Sequence, residues 1–262
     1  MVMALHGCLQ DHRQIQTISS FDAIADRQGF ITVYPFVTHY RDRRIRYCWG
    51  WWREREILPG RGEVQDLWEI VEEVQAGFNI DPRRIHISGL SAGGGMAVAA
   101  LVVHADRIAS GGIVAGVPYS ETARAVHVAG WGGRRFKPIE QIVEAMQGAM
   151  APAARKRVPI FIVHSLDDTV VDLQAATNLR DAWASCFEVD TSRFARTECG
   201  ERRGIQWSHS KYGPLGRRSV IETLFIDGLG HGWSGGSPGR YSYPDGPDIS
   251  QKMWRFFRRH PL

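Results

Sequence analysis

Several things are scarce in this sequence of 262 residues, and each shortage removes a class of protein. No run reaches the roughly 18 consecutive apolar residues of a membrane span, because the most apolar stretch is broken by His104, Asp106 and Arg107. No sign of charge is concentrated: 32 basic and 28 acidic residues leave a formal charge of +4, and the arginines are scattered. A nucleic-acid partner is therefore not expected, and Arg255, Arg258 and Arg259 around Phe256 and Phe257 read as the outer face of a last amphipathic helix. No Pro/Gly/Ser-rich linker divides the chain, which predicts one domain over residues 1–262. The N-terminus lacks the charged-then-apolar pattern of a signal peptide. Cysteine is limited to Cys8, Cys48, Cys186 and Cys199, with no C-x-x-C pair, which argues against zinc and redox sites and leaves both reduced thiols and two disulfides open. Asp167, Asp168 and Asp172 with a neighbouring histidine match no metal-ligand spacing, so no metal is expected.

What is present is a punctuated stretch from Arg84 to Ala100, in which Gly89-Leu90-Ser91-Ala92-Gly93 stands between a strand-like run holding Ile85 and Ile87 and a helix-like run from Met96 to Val103. A G-x-S-x-G turn between strand and helix projects the serine hydroxyl out of the fold. Ser91 is the candidate nucleophile. The amide of Ala92, at the helix start, is placed to stabilise a developing oxyanion. The bland alternative is a glycine-rich turn with an inert serine.

The remaining pattern alternates buried strands with amphipathic helices. Strands are expected over Met1 to Leu5, Phe30 to Tyr34, Gly111 to Gly116, Val158 to Val163 and, as the last strand, Ser219 to Ile226. Helices are expected over Ser20 to Gln28, Glu63 to Ala76, Ile139 to Met150, Leu173 to Ala184 and Ile249 to Arg258. Val37 to Gly62 has no clear period and carries the aromatic group Cys48-Trp49-Gly50-Trp51-Trp52. Such alternation indicates an α/β fold with a mainly parallel sheet flanked by helices, and sites in such sheets form at the carboxyl ends of strands.

A serine nucleophile needs a base, and the base needs an orienting acid. Two strand ends offer them: His164-Ser165-Leu166-Asp167-Asp168 and Asp227-Gly228-Leu229-Gly230-His231-Gly232-Trp233. Among the ten histidines, His231 between glycines can swing over a site at small steric cost. His86 reads as a core residue and His164 as a brace of the acid loop; His6 belongs to the loop after the first strand. His12, His39, His104, His127, His209 and His260 have no partner that the sequence names. Asp167 and Asp168 both qualify as the acid, with Asp168 one position deeper in the turn. The order Ser91, Asp168, His231 is that of the α/β-hydrolase fold. Trp49, Trp51, Trp52 and Trp233 stand near these loops, and Trp49 and Trp233 are the expected substrate contacts, against core packing as the alternative.

With these residues in view, the chain resembles the polyhydroxybutyrate depolymerase family of esterases, relatives of feruloyl and acetyl xylan esterases. The likeness rests on Leu5-His6-Gly7-Cys8-Leu9-Gln10, Val33-Tyr34-Pro35, Cys48-Trp49-Gly50-Trp51, Gly89 to Gly94, Gly116-Val117-Pro118-Tyr119, Asp168 with Val171, Gly228-Leu229-Gly230-His231 with Trp233-Ser234-Gly235-Gly236, and Gly246-Pro247-Asp248-Ile249-Ser250 with Trp254-Arg255-Phe256-Phe257. The resemblance implies an α/β-hydrolase domain in which Ser91 is nucleophile, Asp168 acid and His231 base, and in which the amides of Cys8 and Ala92 form the oxyanion hole. It implies hydrolysis through an acyl-enzyme of short hydroxyalkanoate esters or oligomers, with feruloyl or acetyl xylan esters as alternatives, and no cofactor. A non-catalytic binding protein on the same fold is the reading from another class. The resemblance also implies a Cys8–Cys48 disulfide and hence an extracellular or periplasmic location; it leaves any pairing of Cys186 with Cys199 and the oligomeric state open. Three departures stand out. The family carries two further strands before the His-Gly loop, which this chain is expected to lack, leaving the Phe30 to Tyr34 strand at a sheet edge. Ser165 replaces a usual glycine, and Leu9 a residue that is often polar.

Overall fold

A computed structural model describes residues 1–38, 47–126, 135–151, 157–192, 196–214 and 217–262. His39 and His127 lie outside the described residues. The first half contains β1 (Val2–Leu5), α1 (His12–Ser19), α2 (Phe21–Gln28), β2 (Thr32–Val33), α3 (Glu54–Ile57), α4 (Gly62–Gly77), β3 (His86–Leu90), α5 (Ala92–Val103) and β4 (Ser110–Val114). A short 3-10 turn at Ala123–Ala125 precedes α6 (Ile139–Ala149), β5 (Ile160–Ser165), α7 (Leu173–Cys186), β6 (Arg196–Arg202), β7 (Ile205–Tyr212), β8 (Ile221–Ile226), β9 (Trp233–Ser234), β10 (Ser242–Tyr243) and α8 (Ile249–Phe257).

The main sheet has the order β2-β1-β3-β4-β5-β8-β7-β6. All pairs from β2 to β8 are parallel, while β7 and β6 are antiparallel. Alternate side chains of each parallel strand enter opposite cores: Met3, Leu5, Ile160 and Ile162 pack under α4, α5, α6 and α7, whereas Val2, Ala4, Phe161 and Val163 pack under α1, α2 and α8. Burial on both faces explains why β5 reads as a continuous apolar run rather than an alternating one. Helix α5 is buried along its whole length, as expected of a helix that is apolar all round. Parallel register aligns the strand ends, with Leu5 opposite Gly89, Leu90 opposite Val114, and Ser165 opposite Ile226. The loops after β1, β3, β5 and β8 consequently leave the sheet at one edge.

Four details differ from the sequence expectation. Helix α1 lies in a stretch to which the apolar pattern assigns no element, because only Ile15 and Ile18 mark its buried face; Asp11 and Gln14 form a reciprocal capping box at its start. Strand β2 is two half-buried residues rather than a buried Phe30 to Tyr34, since it sits at the sheet edge with β1 as its partner. The β6–β7 hairpin was not anticipated, its strands being mostly polar; its turn, Arg203-Gly204, has both residues at left-handed φ (52° and 81°), as a tight two-residue hairpin turn requires. Finally, β8 is not the last strand, because β9 and β10 pair in a separate small sheet.

Candidate active site

Ser91 occupies φ 56°, ψ −118°, a region that a side chain other than glycine adopts only under constraint. The constraint is visible on both sides. Ser91 N–H donates to Val114 O (2.8 Å), and Gly95 N–H donates to Ser91 O (2.9 Å). A Cβ on Gly89 would lie 2.2 Å from Gly93 O, and one on Gly93 would lie 2.5 Å from the carbonyls of Leu5 and His6. Both glycines are required by backbone approach, and the second approach sets the elbow against the loop after β1. The amide of Ala92, first in α5, has no acceptor within its helix.

The loop after β1 is braced from three directions. Gly7 N–H donates to Gln10 Oε1 (2.8 Å) and Gln10 N–H to Gly7 O (3.2 Å), engaging those two amides and leaving that of Cys8 between them. His6 Nδ1 pairs with Gly7 O (2.8 Å), and Val37 N–H donates to His6 Nε2 (3.3 Å), which defines a neutral ring protonated on Nδ1. Burial pushes the His6 imidazole down to about 4. Gln10 Nε2 then donates to Arg240 O (3.2 Å), and Arg240 Nη1 donates to Leu9 O (3.2 Å). A disulfide joins Cys8 to Cys48, 40 residues apart. The link from Gln10 to Arg240 joins residues 230 positions apart, so no local pattern in the sequence announces it.

The two adjacent aspartates after β5 have different partners. Asp168 Oδ2 lies 2.7 Å from His231 Nδ1, while its Oδ1 accepts the amides of Val170 (2.8 Å) and Val171 (2.9 Å). Burial alone would raise the Asp168 carboxyl, but the His231 bond, the nearby imidazoles and the Val171 amide hold it below the usual carboxylate range. Asp167 points elsewhere and accepts Gly228 N–H (2.7 Å) at the turn after β8. Asp172 caps α7 through Gln174 N–H (2.8 Å), so the three carboxylates of this loop diverge rather than converge. His164, buried beneath the loop, pairs through Nε2 with Val171 O (2.9 Å) and lies 3.9 Å from Asp168 Oδ2; desolvation lowers its pKa, which keeps the ring neutral there. Ser165 uses its hydroxyl to tie β5 to the carbonyl of Leu229, so the departure from glycine supplies a further link to the base loop.

His231 has its Nδ1 engaged by Asp168, which leaves Nε2 as the nitrogen available to a proton donor. Its flanking glycines serve close packing rather than swing: a Cβ on Gly232 would lie 2.5 Å from Tyr241 O, and one on Gly230 would lie 2.4 Å from the Tyr243 hydroxyl. Tyr241 also meets the His231 ring edge to face at 6.2 Å.

A cavity of about 40 Å3 opens beside Ser91 and Ala92, lined chiefly by the Cys8–Cys48 pair, Trp51, Trp52, Val117 and Val126. Two expected substrate contacts are corrected here. Trp233 is fully buried, donates from Nε1 to Ser250 Oγ (3.0 Å) and packs on Phe21, so no part of it faces a ligand. Trp49 is buried against His6, and Trp51 and Trp52 line the cavity instead. Alternation in an irregular loop cannot be read from a dense Trp cluster. Cys186 and Cys199 are free thiols. The remaining described histidines have structural partners: His86 with Ser110, His104 with Val64 O, His209 with Glu222, His260 with Ser219 O, and His12 against Phe36.

The chain is similar to several known proteins. The family model described as Esterase PHB depolymerase matches residues 1–204. Poly(3-hydroxyalkanoate) depolymerase C of Paucimonas lemoignei is 25% identical over 240 residues, covering 88% of this chain and 54% of that protein. A bifunctional acetylxylan esterase/xylanase of Neocallimastix patriciarum is 24% identical over 256 residues, covering 98% of this chain and 30% of that protein. The chain thus spans about half the length of the first relative and less of the second. Among solved structures, an acetyl xylan esterase from Aspergillus awamori superposes with a TM-score of 0.76 at 18% identity, covering 98% of this chain and 88% of that one, and shares the fold.

Proposed function

The chain belongs to the esterase PHB depolymerase family, and from that premise we propose that it is a serine-dependent carboxylic ester hydrolase working through an acyl-enzyme. The observation that carries the reading is the 2.7 Å pairing of Asp168 with His231 at the sheet edge where the strained Ser91 emerges. His231 Nε2 takes the Ser91 proton as Oγ attacks the ester carbonyl, and Asp168 stabilises the imidazolium that forms. The amides of Cys8 and Ala92 receive the oxyanion of the tetrahedral intermediate. His231 then returns the proton to the leaving alcohol as its C–O bond breaks, and water releases the acyl group by the same steps in reverse. Every group used is the chain's own. The two relatives act, by their names, on poly(3-hydroxyalkanoate) and on acetylxylan, which makes hydroxyalkanoyl and acetyl esters the substrate classes to compare. The disulfide favours an oxidising compartment, extracellular or periplasmic.

The experiment is Ser91→Ala with a chromogenic short-chain ester and a fluorophosphonate probe. The variant should keep its circular dichroism and melting temperature and lose both turnover and labelling. Undiminished turnover by the folded variant would overturn the proposal.

A further inference from the structure

We infer that His164 is a positioning residue of the proposed triad, a second imidazole that stays neutral, clamps the far end of the acid turn and so aims Asp168 at His231. The inference rests on the ester-hydrolase reading above and adds how its acid is kept in place. Two imidazoles lie near one carboxylate oxygen: Asp168 Oδ2 is 2.7 Å from His231 Nδ1 and 3.9 Å from His164 Nε2. They are not equivalent. The His231 side chain keeps 10% of its surface exposed, whereas that of His164 keeps none.

The acid turn runs from the end of β5 to the cap of α7. Its near end is tied to the base loop, by Ser165 to Leu229 O and by Asp167 to Gly228 N–H. At its far end Val171 is gripped at both of its backbone polar groups: its N–H donates to Asp168 Oδ1 (2.9 Å), and its carbonyl accepts from His164 Nε2 (2.9 Å). His164 is itself a β5 residue, in register with Phe225 of β8. The bond therefore carries the position of the sheet across seven residues to the far end of the turn. With the carbonyl released, Val171 can rotate, and its amide holds the carboxylate less firmly in the direction of His231.

The choice of an imidazole follows from its neighbours. A carbonyl only accepts, so His164 Nε2 carries the proton, and in a neutral ring Nδ1 is an acceptor. That Nδ1 is buried with no hydrogen-bond partner among the described residues. An unmet buried nitrogen is a cost that an apolar side chain would avoid, so the feature that suits this position is the Nε2 donor. A second proton, on Nδ1, would be a buried charge facing no acceptor of the protein. It would also compete with the His231 imidazolium for Oδ2 and repel it. The titratable groups that act on His164 are Asp168 in the turn, Asp172 at the cap of α7 and His231 in the base loop. Toward them the neutral ring presents an N–H dipole, strengthened by burial, and leaves the positive charge of the catalytic cycle to His231.

The test compares His164→Gln, His164→Asn and His164→Leu on a chromogenic short-chain ester, with kcat expressed per serine titrated by a fluorophosphonate so that misfolded molecules do not count. The glutamine amide reaches the place of Nε2, the asparagine amide only that of Nδ1, and leucine has no donor. His164→Gln should keep kcat within about fivefold of the wild type. His164→Asn and His164→Leu should lose about 10- to 100-fold in kcat with KM nearly unchanged, the scale on which a displaced catalytic group acts. In 15N-resolved spectra of the wild type, the His164 ring should remain singly protonated, on Nε2, from pH 7 down to about 5.5, one unit below the ordinary histidine value of about 6.5. A doubly protonated ring in that range overturns the inference, and this readout decides the matter should the asparagine and leucine variants fail to fold. Wild-type kcat in His164→Leu overturns it as well, as does a His164→Gln variant no better than His164→Asn. Ser91→Ala separates the two levels: turnover that survives in it sinks the hydrolase reading, whereas Ser91-dependent turnover indifferent to His164 sinks the positioning role alone.

Discussion

Asp167 and Asp168 are adjacent in the chain, yet each grips a different part of the loop that follows β8: Asp167 takes the Gly228 amide and Asp168 takes the His231 imidazole. The turn between β5 and α7 thereby fixes the base loop at two points. Only the second point lies on the proposed proton path. Asp168→Asn should lower kcat on a short-chain ester by about 10^3 to 10^4-fold, the scale on which loss of a triad acid acts. Asp167→Ala should lower it less than about tenfold and reduce the melting temperature by roughly 2–4 °C, as expected for about 1 kcal/mol in a chain of this size. Equal losses in kcat for the two variants would show that the acid has been assigned to the wrong residue.

Gln10 should behave as a positioning residue. Its side chain accepts the Gly7 amide and donates to Arg240 O, so it holds the proposed oxyanion loop to the segment that packs against His231. Gln10→Ala is expected to reduce kcat by about 10–100-fold with little change in KM, because oxyanion stabilisation is a transition-state contribution. A change confined to KM would contradict that role.

The disulfide closes a loop of 40 residues, which the chain-entropy account values at roughly 4 kcal/mol. Reduction, or the paired change of Cys8 and Cys48 to serine, should lower the melting temperature by roughly 8–16 °C. Thiol counting on the native protein should find Cys199 reacting quickly, since it is exposed. Cys186 should react slowly, because burial pushes its thiol up to about 11. Four reactive thiols in the unreduced, unfolded protein would refute the pairing.

His6 predicts a pH dependence of stability with a definite sign. Its folded-state pKa is depressed to about 4 from an ordinary value of about 6.5. Between those limits the unfolded chain binds the proton and the folded chain does not, so stability is full above about 6.5 and falls as the pH drops toward 4. Protonating Nε2 would also remove the acceptor of the Val37 amide. His104, His164 and His260, also lowered by burial, act in the same direction. Asp168, depressed below the carboxylate range, loses its contribution only at pH values under about 3.9. In urea titrations at pH 7 and pH 4.5, the stability difference should shrink by about 2 kcal/mol in His6→Gln relative to the wild type. An unchanged difference would mean that His6 is not buried in its neutral form.

The parts legible in the sequence are those whose determinants lie close together along the chain. The elbow around Ser91 is specified by Gly89 and Gly93 within five residues, because the backbone approaches are local to one strand-turn-helix unit. The parallel strands declare themselves through apolar runs that both cores require, as in Ile160 to Val163. The order of Ser91, Asp168 and His231 follows from which strand ends carry reactive side chains. Helix α1 also carries a local sequence signal, its Asp11–Gln14 capping box.

Tertiary structure decided the rest, because those choices depend on partners remote in sequence. Asp167 and Asp168 are chemically equivalent until β8 is laid beside β5 and gives each a different partner. Trp49 and Trp233 look like binding aromatics until packing buries them and leaves Trp51 and Trp52 at the cavity. The β6–β7 hairpin, polar along most of its length, becomes a strand pair only because β8 offers an edge to extend. Sequence alone therefore determined which residue types stand at the carboxyl ends of the strands. The register of the sheet and the packing above it determined which of them face one another, since a contact such as Gln10 with Arg240 exists only when the chain has folded.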